Sequence, residues 1–188
     1  MASLFAHGAV ALAAGRVYTA RPMPRRFWVL AVLLSVSPDF DVMGFAMGIE
    51  YGDFLGHRGF THSFVFAILC GSLAAALLAR SPDWPGPRAV SVAAFLAVVT
   101  ASHGVLDGLT NGGLGIAFFS PFDLTRYFLP WTPIQVSPIG FGAFFTRWGV
   151  AVLRSEIVWI GLPMFGALGL TEAFRYLTRE RRAPHRER

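Results

Sequence analysis

Five apolar stretches dominate this chain and restrict what it can become: Leu4 to Ala14, Phe27 to Val36, Phe60 to Ala79, Ala89 to Ala101, and Val150 to Leu170. A chain of 188 residues that is 54% hydrophobic and only 14% charged carries more apolar surface than a water-soluble domain usually does. A bilayer accommodates that surface. Two stretches are long enough to cross a hydrocarbon core of about 30 Å unaided, and the other three need their polar ends included. The expected fold is all-α, a polytopic membrane helical bundle of about five spans. One integral membrane domain would occupy residues 1–174, with a basic tail over 175–188 and no second domain. The first stretch lacks the basic start of a signal peptide and is read as retained.

All sixteen basic residues are arginine, giving a net charge of +5 and a pI near 10.3. Their positions argue against a nucleic-acid partner. Arg16, Arg21, Arg25 and Arg26 lie between the first and second stretches, Arg80 and Arg88 between the third and fourth, and Arg175, Arg179, Arg181, Arg182, Arg186 and Arg188 follow the fifth. Every second connection is basic, as the positive-inside rule asks of cytoplasmic loops. The N-terminus is then outside and the C-terminus cytoplasmic, and membrane lipids are the expected partners of the basic tail, including His185. Cys70, the single cysteine, lies inside the third stretch and reads as core packing.

That topology fixes where the rare polar residues fall. His7, the pair Asp39 and Asp41, the pair His57 and His62, and the pair His103 and Asp107 all lie toward the external side. At about 1.5 Å per helical residue, Asp39 is roughly 20 Å from Arg26, His103 roughly 22 Å from Arg88, and His62 roughly 27 Å from Arg80. His7 is roughly 14 Å from Arg16, and Glu156 reaches a similar level. Carboxylates and imidazoles are expensive near hydrocarbon, so their repetition at one depth points to a shared metal ion.

Local spacing agrees. His103 and Asp107 are four apart and share a helical face. Pro38 predicts that the second span ends at Ser37, with Asp39 and Asp41 in extended or turning backbone and either carboxylate able to reach the ion. Gly56 and Gly59 place His57 in a loop, and Thr61 is a plausible N-cap that puts His62 in the first turn of the third span. Three nitrogen donors and two or three carboxylates suit one or two ions of zinc, or of another divalent transition metal such as manganese or iron. The competing reading pairs these groups to one another and leaves them to fix packing.

The order Ser37-Pro38-Asp39-Phe40-Asp41, His57-Arg58-Gly59-Phe60-Thr61-His62-Ser63 and Ser102-His103-Gly104-Val105-Leu106-Asp107 resembles the YdjM-like family of bacterial inner-membrane proteins, described as membrane-bound metal-dependent hydrolases. Ser120-Pro121-Phe122-Asp123 and Leu129-Pro130-Trp131-Thr132-Pro133-Ile134 look like that family's following loop. The resemblance covers about His7 to Pro138. It implies a helical hydrolase distantly similar to zinc-dependent phospholipase C and the P1-type nucleases. By that analogy His62, His103, Asp107 and one of Asp39 or Asp41 hold a first metal, and Asp107 bridges to a second that His7 helps bind. No His-x3-Glu pair is present for a third ion.

A metal with an open position lowers the pKa of bound water toward neutrality. Asp41 or Glu156 is the candidate proton acceptor, and Arg58 or Arg126 the candidate partner of a phosphoryl oxygen. Glu156 has a second reading, an ion pair with Arg147 or Arg154. The resemblance and the membrane setting together favour a phosphoester or lipid-like substrate. A metal transporter or sensor would need a polar path to the cytoplasmic side, and Val29 to Leu34 and Leu73 to Ala79 are unbroken and apolar; a structural scaffold would need no metal. Between Asn111 and Trp148, Gly112, Gly113, Pro121, Pro130, Pro133 and Pro138 predict loop and short helices. The aromatic residues crowded there suit an interfacial belt, or a lid over the site.

Overall fold

The computed structural model describes residues 1–80 and 89–180. Helix α1 (Leu4–Tyr18) begins where the Ser3 side chain accepts from the Ala6 amide, and ends as Thr19 turns extended. Helix α2 (Arg25–Val36) starts after Pro24 and passes without a break into a 3₁₀ segment, Ser37–Met47, closed by Gly48 at φ 80°. Helix α3 (Phe64–Ala79) is capped by Ser63, which accepts from the Phe66 amide. Helix α4 (Ala89–Gly108) follows, then the short α5 (Phe141–Phe144) and α6 (Arg147–Glu156). A π-helical turn, Ile157–Gly161, joins α6 to α7 (Leu162–Glu180).

Two local expectations are corrected. Pro38 does not end the second helix in extended chain: Ser37 stays right-handed, and proline sits in the first turn of the 3₁₀ segment, where its missing N–H costs nothing. Thr61 is not the cap of α3; it belongs to a 3₁₀ turn, Phe60–His62, and the cap falls two residues later at Ser63.

Solvent exposure is inverted relative to a soluble protein. Leu69, Leu73, Leu77, Phe165, Leu170 and Phe174 are exposed, while His7, Asp39, His62, His103 and Asp107 are buried. Such a surface belongs in lipid. Arg25–Met47, Ala89–Gly108 and Arg147–Thr178 are long and apolar enough to cross a membrane, and Leu4–Tyr18 and Phe64–Ala79 are shorter apolar helices beside them. The molecule is an all-helical membrane bundle.

Lipid removes the usual hydrophobic drive between helices, so close backbone approach through small side chains has to hold them. Gly71 on α3 shows this: a Cβ there would stand 2.4 Å from the Ala97 amide nitrogen of α4. Ala11, Ala31, Ala74 and Ala75 pack with Phe27, Leu78, Val92 and Leu96 in an apolar core, and Tyr18 stacks on Phe95 at 4.5 Å.

The helices alternate in direction. The Arg175 guanidinium donates to the Val17 carbonyl, and the Tyr18 and Ser91 hydroxyls lie 2.8 Å apart, which gathers the end of α1, the start of α4 and the later turns of α7 at one end. Arg16 and Arg175 lie at that end, both paired with Glu172; Arg88, Arg181, Arg182, His185, Arg186 and Arg188 lie outside the described residues. The start of α1, the 3₁₀ segment, the start of α3 and the end of α4 meet at the other end. Over it runs the chain from Leu109 to Thr146, which is mostly loop with α5 near its end. Single bridges at Thr110 with Ile134 and at Ile116 with Tyr127 tie it to itself, and the Phe64 amide donating to the Phe118 carbonyl ties it to α3. Ile116 and Phe118 turn inward, whereas Phe119 and Phe122 face out.

Candidate metal centre

A ring on α4 and a ring just before α3 meet at the centre of this end. The His103 Nδ1 lies 2.7 Å from the Ser35 carbonyl. A carbonyl can only accept, so the Nδ1 proton is held there and the Nε2 lone pair of the neutral ring is turned inward. The His62 Nδ1 is 3.2 Å from Asp41 Oδ2 and 3.1 Å from the Thr61 hydroxyl. That again leaves Nε2 inward, and the two Nε2 atoms stand 3.1 Å apart.

Two carboxylates complete the group. Asp39 Oδ1 is 3.2 Å from His103 Nε2 and 3.7 Å from His62 Nε2, and Asp107 Oδ2 is 3.8 Å from His62 Nε2. One ligand atom from each of Asp39, His62, His103 and Asp107 lies within 4.8 Å of all the others. Ligands bound tetrahedrally at about 2.0–2.1 Å would be separated by about 3.4 Å. The observed spacings bracket that value. Neither oxygen of Asp39 has a hydrogen-bond donor, nor has Asp107 Oδ2, though all three are buried. A buried carboxylate without donors is costly, and a divalent cation removes that cost.

The 3₁₀ backbone explains how Asp39 and Asp41 divide their work. Extended chain would have pointed them the same way; at three residues per turn they diverge, and they reach opposite edges of the His62 ring. Asp41 also accepts from His57 Nδ1 at 2.7 Å, the Thr61 hydroxyl at 2.8 Å and the Arg58 amide at 3.2 Å. Asp41, His57 and His62 form a second group with metal-ligand spacing, and His57 Nε2 is buried without a partner.

The remaining sequence candidates surround this core. His7 on α1 stacks on His103 at 3.7 Å between centroids and brings Nε2 to 3.3 Å from Asp107 Oδ1, outside the four-atom group. Its two ring nitrogens have no hydrogen-bond partner. Arg58 is fully buried at φ 66°, a left-handed conformation unusual for a non-glycine residue. It aims Nε at Asp107 Oδ2, 3.4 Å away, and donates to the Gly112 carbonyl and the Thr110 hydroxyl. Gly113 passes so close that a Cβ would lie 2.5 Å from an Arg58 guanidinium nitrogen. Glu156 has as hydrogen-bond partners the Ser3 amide and hydroxyl, not Arg147 or Arg154. The Arg126 guanidinium donates to the carbonyls of His57, Tyr51 and Asp53 and braces the loop beneath His57. Burial pushes the nearby Tyr51 hydroxyl above its ordinary pKa, against the pull of Arg58.

Sequence reasoning missed Ser3, Ser35 and Thr110. The Ser35 carbonyl carries no side-chain signal at all, whereas Ser3, an N-cap beside an apolar run, could have been found.

The profile of the family described as YdjM inner membrane protein matches residues 1–178. The inner membrane protein YbcI of Escherichia coli (strain K12) is 35% identical over 170 residues, covering 90% of this chain and 96% of that protein. No solved structure matches.

Proposed function

The chain belongs to the YdjM inner membrane protein family, and from that premise we propose that it is a membrane-embedded metal-dependent hydrolase acting on a phosphoester or lipid-like substrate. The observation that carries this reading is the facing pair of Nε2 atoms on His62 and His103, each presented by a hydrogen bond at its own Nδ1. Two imidazole lone pairs held head to head in a buried acidic pocket call for a cation between them.

Asp39, His62, His103 and Asp107 would hold a zinc or similar divalent ion, and a second ion would draw on His7 or on the group of Asp41 and His57. When bound, such an ion supplies Lewis acidity and lowers the pKa of water in its open position. The protein supplies the rest. Asp41 orients His62 and His57, and Ser35 orients His103. Arg58 balances the charge of Asp107. Ser3 Oγ donates to Glu156 Oε2 at 2.7 Å, and Ser3 and Asp39 both line the same cavity. A proton released into that cavity would pass through the Ser3 hydroxyl to Glu156.

The apolar core below the site, from Ala11 and Ala31 to Val92 and Leu96, offers no polar route toward the arginine-rich end among the described residues, which favours an enzyme over a transporter. With the arginines cytoplasmic, the site opens on the external side of the inner membrane. The test is hydrolysis of bis(p-nitrophenyl) phosphate and of phospholipid vesicles by detergent-purified protein. Turnover that a chelator abolishes and divalent metal restores is expected. Metal-loaded protein inert on all phosphoesters and lipid esters would refute the hydrolase assignment.

A further inference from the structure

A cavity of about 340 Å³ opens beside the metal-binding residues, between the start of α1, the 3₁₀ segment and the chain around α5. Its walls are Leu4, Phe5, Phe40, Val42, Ile139 and Phe144, and Asp39, Ser3 and Ser137 also line it. Leu4, Phe5, Phe40 and Ile139 are also exposed on the outer surface, so the cavity communicates with the face that meets lipid. Its volume lies at the lower end of the range for small-molecule sites. Gly140, at φ 106°, turns the chain at its edge, and Phe144 approaches Phe5 at 5.8 Å between centroids, closing the wall between α1 and α5.

We infer that this cavity receives one hydrocarbon chain of a bilayer lipid, with the lipid's polar group at Asp39. The inference rests on the hydrolase reading for the identity of the reacting group, but the pocket itself stands on shape and chemistry. A polar solute has no partners along its length and would lose its hydration on entry, which costs several kcal/mol for each unpaired group. A hydrocarbon chain loses nothing on entry from lipid. The polar residues Asp39 and Ser3 set the direction: apolar tail toward Phe5 and Phe144, ester or phosphoester toward Asp39. The occupant is thus a lipid drawn laterally from the membrane.

The experiment uses full-length protein in vesicles of phosphatidylethanolamine and phosphatidylglycerol containing phosphatidylethanolamine with a diazirine in one acyl chain. After illumination, crosslinks are mapped by mass spectrometry. Labelling concentrated on Phe5, Phe40 and residues 139–144 is expected. Val42→Trp, and separately Ile139→Trp, should reduce that labelling at least about fivefold while their metal content stays at the wild-type level. Two variants on different walls guard against one that fails to fold. Excess unlabelled phosphatidylethanolamine should compete, whereas glycerophosphoethanolamine, the same headgroup without tails, should not. Labelling spread evenly along the exposed belt, or unchanged in both folded variants, would overturn the pocket whatever the metal content. Pocket labelling in metal-loaded protein that hydrolyses no phosphoester or lipid ester would leave the pocket standing and refute only the hydrolase reading.

Discussion

His62 and His103, forty-one residues apart in sequence, bring their Nε2 atoms to 3.1 Å of each other at the buried end of the bundle. Each ring is held from behind, His103 by the Ser35 carbonyl and His62 by Asp41 and Thr61. The pair defines the centre.

Arg58 is predicted to be essential for the fold and not only for the site. Removing it in Arg58→Leu leaves Asp107 buried without its guanidinium neighbour, and breaking a buried pair costs about 3–5 kcal/mol. A clear fall in the thermal unfolding midpoint in detergent is expected, whereas a wild-type midpoint would show that the ion pair contributes nothing.

Gly71 lies away from every candidate metal ligand, yet it sets the distance between α3 and α4. Gly71→Leu forces the helices apart, costing about 1–3 kcal/mol or more, and moves His62 relative to His103. Metal content should fall although no ligand has changed. Full metal content in the variant would mean that the His62 and His103 geometry does not depend on this contact.

Metal release should be accelerated by acid. Both Nε2 atoms must be unprotonated to bind, so protons compete with the metal as the pH falls. Chelator extraction measured from about pH 8 to about pH 5 should speed up on the acid side. A rate indifferent to pH would argue for carboxylate ligands alone.

Orientation is testable with single cysteines in a Cys70→Ser background. Asp53→Cys, in the loop below His57, should react with an impermeant maleimide in intact spheroplasts. Thr178→Cys, near the arginine-rich end, should react only after lysis. The opposite pattern would place the site on the cytoplasmic side.

Much of this arrangement is legible in the sequence because the cost of polar groups in lipid is so high. A histidine four residues before an aspartate on one apolar helix leaves few choices, and the alternating arginines fix which helix ends share a level. Backbone detail is less legible. Pro38 carries a strong preference for a helix end, but the chain continues as a 3₁₀ segment in which Asp41 reaches His57, Arg58 and Thr61, and a local rule cannot register partners so far along the chain. The same limit hid the role of Glu156. Its partner, Ser3, lies 153 residues away, while Arg147 and Arg154 are near in sequence but project elsewhere.

The most direct measurement is the metal content of protein purified from membranes without chelator, determined by inductively coupled plasma mass spectrometry alongside His103→Ala and Asp39→Asn. Wild type should carry at least about one equivalent of zinc or another divalent transition metal per chain, and each folded variant less than about a tenth of that. Folded wild-type protein with no stoichiometric metal, or two variants that keep it all, would contradict the account.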